Sequence, residues 1–197
     1  MVWHEKELPP GYREVFAVDA GNKRVGLLLN LLAAAIDLPI LAVSLVLIRP
    51  WESGAPRPRQ LLILLAALVV YIVLHELVHG AAYKIMTREK LSFGLTLSVA
   101  YCGVPNIYCY RLTSLISLLA PFTLFLPVFL LPAILLPDAW DRFVWAVMLA
   151  MHVGGCAGDL YNTFLFLFRF RDPRTLTRDF GSKQVFYLPE GGEPDAH

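Results

Sequence analysis

Leu61-Leu-Ile-Leu-Leu-Ala-Ala-Leu-Val-Val-Tyr71-Ile-Val-Leu-His75-Glu76-Leu-Val-His79-Gly80-Ala-Ala82 holds two histidines and a glutamate inside a run that is otherwise almost wholly apolar. As a helix the run reaches about 33 Å at 1.5 Å per residue, enough to cross the roughly 30 Å hydrocarbon layer of a bilayer. An ionisable group at that depth costs several kcal/mol unless it is paired or functional. Histidines four apart lie on one helix face, one turn apart, and can grip a single Zn²⁺ through their ring nitrogens. Packed donors and a proton-relay carboxylate are the bland alternative for these three residues.

Working outward, the composition agrees with a membrane setting. The chain has 197 residues, 57% hydrophobic and 17% charged, with mean hydropathy +0.57. Soluble domains carry more charge and less apolar surface. A net charge of +1 offers no footing for nucleic acid. Cys102, Cys109 and Cys156 show no C-x-x-C spacing, so a structural disulfide framework is not expected. The polar start followed by a long apolar run argues against a cleavable signal peptide.

Taken in order, the chain reads as an all-α polytopic membrane protein of about four transmembrane helices, with a membrane-associated β-hairpin after the second. Residues 1–25 form a cytoplasmic arm, 26–168 the membrane domain and 169–197 a cytoplasmic tail. The expected spans are 26–48, 61–82, 112–136 and 143–168. The first contains Asp37 before Leu38-Pro39, where a kink is expected. An intramembrane carboxylate is a functional candidate by default, so Asp37 joins the possible supporting groups. The alternation of apolar and small polar residues over 91–99, with Val104-Pro105-Asn106 as a turn, predicts the hairpin over 91–110. In the last span His152, Cys156 and Asp159 share one helix face, and Asn162 lies one turn beyond Asp159. Residues 190–197 are expected to be disordered.

Lysine and arginine counts orient the spans. Thirteen of the seventeen fall in the arm, the second connection and the tail, which places both termini in the cytoplasm. Spans two and four then run the same way. His75 lies 14 residues after Leu61, and Asp159 lies 16 after Phe143, so their depths agree within about one helical turn. A catalytic zinc keeps three protein ligands and an open position. Asp159 is the third ligand this reading favours beside His75 and His79, with His152 and Glu89 as alternatives. Asn162 and His152 are candidates for orienting a ligand or the substrate carbonyl.

The order H-E-L-V-H-G in a span, a following hairpin, Arg111 leading into a Pro-containing span, and Gly158-Asp159-Leu160-Tyr161-Asn162 late in the chain resembles the putative zincin peptidase family of small prokaryotic membrane proteins. That family is similar to the site-2 proteases, which are intramembrane zinc metallopeptidases. The resemblance covers about residues 8–187 and implies one Zn²⁺ per chain, with His75, His79 and Asp159 as ligands and Glu76 as the catalytic base. It also implies a prokaryotic cytoplasmic membrane as the location. Site-2 proteases place the third ligand in an Asp-Gly context, whereas here Gly158 precedes Asp159 and Leu160 follows.

The function expected is zinc-dependent hydrolysis of peptide bonds within or beside the membrane, by a metal-activated water with Glu76 as general base. The partners are the lipid bilayer and a membrane protein or peptide substrate, whose extended segment could pair with a hairpin edge. A catalytically silent zinc-binding scaffold and a small proton-coupled transporter using Asp37, Glu76 and Asp159 are the alternatives.

Overall fold

The computed structural model of the chain describes residues 2–95 and 100–192. In chain order its elements are β1 (His4–Glu5), β2 (Tyr12–Asp19), α1 (Lys23–Ile48), α2 (Pro58–Thr87), β3 (Ser92–Leu95), β4 (Ala100–Gly103), β5 (Tyr108–Tyr110), α3 (Arg111–Leu135), α4 (Ala139–Gly155), α5 (Ala157–Phe168), β6 (Leu176–Asp179) and β7 (Lys183–Pro189). A short 3₁₀ turn, Pro50–Ser53, separates α1 from α2.

The expectation of an all-α, four-span protein is overturned. The fold is mixed α/β, because the two polar ends of the chain supply strands to an antiparallel sheet of order β1-β5-β6-β7-β2. Tyr12 pairs with Pro189 and Asp19 with Lys183, with a bulge between Glu14 and Phe16. Val-Phe-Tyr-Leu in β7 is a β-branched and aromatic run suited to a central strand, and Val185, Phe186 and Leu188 are buried. The pairing of segments so distant in sequence leaves no local periodic signal to read.

Three helices, α1, α2 and α3, are long and apolar enough to cross a membrane. The expected fourth span is not one helix: α4 and α5 are bent by 45° at Cys156. Gly154, Gly155 and Gly158 flank that break, and glycine costs about 1 kcal/mol relative to alanine in a helix interior. The bend makes Asp159 a first-turn residue of α5 rather than a mid-span one.

Contacts divide the chain into two compact units. The first comprises Met1–Leu27, His75–Pro121 and Gly158–His197. Its main core packs Leu118 of α3 and Leu165 and Phe166 of α5 with Phe170, Phe186, Leu188 and Val18 of the sheet region. Each such side chain contributes about 1.5–3 kcal/mol on burial. Arg111 opens α3 and donates from Nε and a terminal nitrogen to the Phe166 carbonyl at 3.1 and 3.0 Å, satisfying one of the last carbonyls of α5. β3 pairs with β4, Phe93 standing opposite Cys102, while β5 belongs to the larger sheet. Residues 96–99, the rest of the alternating run, and 193–197 of the tail lie outside the described residues.

The second unit comprises Leu28–Leu74 and Phe122–Ala157. Asp138 caps α4 by accepting from the Asp141 amide at 3.0 Å. Gln60 donates to Asp141 at 3.0 Å, and Arg59 pairs with the same carboxylate at 2.6 Å. Trp140 donates from Nε1 to the Gly54 carbonyl at 2.9 Å.

Candidate metal centre

His75 and His79 lie one turn apart on α2, and both are buried. His79 Nδ1 is 2.8 Å from the backbone carbonyl of Ser117 on α3. A carbonyl only accepts, so Nδ1 carries the ring proton and Nε2 keeps its lone pair. The Ser117 hydroxyl donates in return to the His79 carbonyl at 3.3 Å, holding the two helices in register at this level. The freed Nε2 faces His75 Nε2 at 3.1 Å, and Asp159 Oδ2 lies 3.4 Å from each of them.

That triangle fits a zinc ion. A tetrahedral site with metal–ligand bonds of about 2.0–2.1 Å has ligand–ligand edges of roughly 3.3–3.4 Å. Two neutral-imidazole nitrogens and a carboxylate oxygen are the donor types that such catalytic sites use. Asp159 reaches the triangle because the break at Cys156 starts a new helix two residues before it.

Glu76 adjoins His75 on α2. Its carboxylate takes a hydrogen bond from the Cys102 amide of β4 and shares an electrostatic environment with His79, His75 and Asp159. Gly80 explains how strand and helix come so close. A Cβ at that position would lie 2.8 Å from the Phe93 ring and 3.3 Å from Cys102 Sγ. Cys102 and Cys109 face the same interior as thiols. Burial, assisted by the charge of Asp179, pushes the Cys102 thiol up to about 12 and raises that of Cys109 as well. Thiols held in this way are poor metal ligands.

The model of one protein family, described as "Putative zincin peptidase", matches residues 68–172. The match spans more than half of the chain and takes in His75, Glu76, His79 and Asp159. The chain belongs to that family. Comparison with curated proteins and with solved structures returned no match. Membership of a zincin family implies zinc and peptide hydrolysis in general terms, and the long apolar helices accord with a membrane protein.

His152, on α4 in the second unit, receives the Tyr71 hydroxyl at Nδ1 (2.8 Å) and donates from Nε2 to the Phe122 carbonyl (3.1 Å). Its ring is enclosed by Tyr71, Phe122, Phe125 and Phe129. Asp37 of α1 sits over Gly154 of α4, where its carboxylate occupies the space a Cβ would need. Asn162 lies one turn beyond Asp159 on α5, and its buried Oδ1 accepts no hydrogen bond among the described residues. Glu89 pairs with His4 and Lys6 at 3.6 Å each. Sequence reasoning passed over Ser117, Gly80, Tyr83 and Asp179. A signal for Ser117 existed, since Thr113, Ser114 and Ser117 make a polar stripe at helical spacing on an otherwise apolar span.

Proposed function

We propose that the protein is a zinc-dependent endopeptidase acting on membrane proteins or peptides, within or close to the bilayer. The observation that carries this reading is the convergence of His75 Nε2, His79 Nε2 and Asp159 Oδ2 at 3.1–3.4 Å, with Glu76 on the same helix beside them. One zinc per chain, held by these three atoms, would supply Lewis acidity to a water and to the scissile carbonyl. Glu76 accepts the proton of the attacking water and passes it to the leaving amine, which keeps the proton count balanced through the cleavage. Ser117 fixes the His79 tautomer, as hydrogen-bonded partners of ligating histidines do. Asn162 offers an unused buried amide oxygen one turn from Asp159, placed to orient a ligand or substrate. His152 and Asp37 take a supporting role through packing in the second unit.

An extended stretch of substrate would lie along a hairpin edge, where backbone hydrogen bonds present a peptide without regard to its side chains. A helical transmembrane segment has to unwind locally before it can do this. The antiparallel sheet that pairs strands from the two ends of the chain supports both termini on one side of a membrane, and the charge bias of the loops supports the cytoplasmic side.

The deciding experiment compares purified wild type with Glu76→Gln for zinc content and for cleavage of membrane-peptide substrates in micelles. The expected outcome is unchanged zinc and a rate reduced by about 10²–10⁴-fold. Zinc without turnover in the wild type would point to the silent scaffold, and full activity in the variant removes Glu76 from the chemistry.

A further inference from the structure

We propose that Asp179 is a positioning residue of the centre, joining the end of the motif helix to the hairpin strand that carries the Cys102 amide. Asp179 ends β6, yet its polar atoms serve other elements. Oδ2 accepts the Tyr83 hydroxyl at 2.6 Å, and Tyr83 sits one turn past His79 with 1% of its surface exposed. Oδ1 accepts from the Gly181 amide at 2.7 Å, shaping the turn into β7. The Asp179 carbonyl accepts from the Val104 amide at 2.9 Å, immediately after β4, and Val104 is fully buried.

One residue therefore holds both walls around Glu76, namely the helix that carries it and the strand whose amide it touches. The close approach is built in on both sides. A Cβ at Gly103 would lie 2.5 Å from the Gly181 nitrogen and 2.8 Å from the Asp179 carbonyl oxygen. A tight β6–β7 turn needs none of this, since an exposed Asp or Asn caps its own turn equally well. What a buried carboxylate adds is a charge-assisted grip on the tyrosine, about twice as strong as a neutral hydrogen bond. The desolvation that opposes it is evident in the Asp179 carboxyl, which burial raises to about 6.

The test uses the full chain, zinc-loaded in detergent, with Asp179→Ala, Asp179→Asn and Tyr83→Phe, read by amide hydrogen exchange together with zinc content and turnover. In Asp179→Ala, exchange across residues 100–104 is expected to rise about tenfold with zinc still at one per chain. Asp179→Asn, which keeps an acceptor for Tyr83, should stay within about threefold of wild type, and Tyr83→Phe should fall between the two. Turnover, the one arm that rests on the peptidase reading, should drop about tenfold or more in kcat with little change in KM for Asp179→Ala, and recover in Asp179→Asn. Unchanged exchange at 100–104 in both Asp179→Ala and Tyr83→Phe overturns the proposal. So does a uniform rise over the whole chain accompanied by zinc loss, which would make Asp179 a stability residue only. A wild type without peptidase activity sinks the peptidase reading alone, because the exchange and zinc arms still decide the joint.

Discussion

Two imidazole settings in this molecule are both buried and chemically different. His152 has the Tyr71 hydroxyl on one nitrogen and the Phe122 carbonyl on the other, within a cage of aromatic rings. His79 gives one nitrogen to the Ser117 carbonyl and turns the other toward His75 and Asp159. Burial and residue type do not distinguish them. The difference lies in how the nitrogens are engaged: both of His152's have hydrogen-bond partners, with the Cys156 thiol also 3.7 Å from Nδ1, whereas Nε2 of His79 faces an imidazole and a carboxylate. A histidine in a membrane helix can thus be a packed polar knot or a ligand, and only the commitment of both nitrogens tells which.

The largest effect that could break this comparison concerns the metal. Zinc affinity in His79→Ala is expected to fall by at least about a thousandfold, whereas His152→Ala should retain zinc at one per chain. Metal analysis after dialysis against a graded chelator measures both, and zinc loss in His152→Ala would erase the distinction. A smaller effect runs the other way. His152→Ala removes the acceptor for Tyr71 and the donor for Phe122 and leaves a cavity between aromatic rings, so it should cost about 3 kcal/mol of stability. Thermal unfolding in detergent would register this, and a melting temperature equal to wild type would show that the cage does not depend on its histidine.

The smallest effect lies outside the membrane helices and sharpens the contrast by adding a third buried group that is partnered yet poorly solvated. Burial raises the Asp179 carboxyl from 3.8 to about 6, against the lowering pull of Tyr83 and the Gly181 amide. His79 and Asp159 also act on it, and the Cys102 and Cys109 thiols feel its charge. Between those two values the folded chain holds a proton that the unfolded chain has released. This group's contribution to stability therefore declines as pH rises from about 4 to about 6, and its cost is fully present above that. The difference in melting temperature between wild type and Asp179→Asn, followed from pH 4 to 7, should show the wild type losing ground over that window. A constant difference across the range would refute the assignment.

Much of the membrane part was legible because hydropathy and spacing are local properties. The run ending in His75-Glu76-Leu-Val-His79 declares both its helix and its donors, and depth matching brought Asp159 to the same level. The break at Cys156 was harder, since Gly154, Gly155 and Gly158 read equally well as a close-packing stripe. The sheet was largely illegible. Tyr12–Asp19 carries arginine, two acids and a bulge, and its partner strand comes at the other end of the chain. The group that sets the His79 tautomer is the Ser117 backbone carbonyl; the polar stripe could point to the Ser117 hydroxyl but not to the carbonyl's role. Asp179 looked like one more charge in a polar tail until the fold gave it Tyr83.

The pairing of β2 with β7 also has a consequence for how the protein is made. β2 is synthesised before all five helices, and β7, its partner, after them. Until β6 and β7 are made, β2 lacks the strand it pairs with, and the Asp179 link to Tyr83 cannot close. The helices can enter the bilayer one after another while the His75–His79 end of α2 waits for its support. Assembly of the centre should accordingly be timed by synthesis of β6 and β7 rather than by membrane insertion of α2.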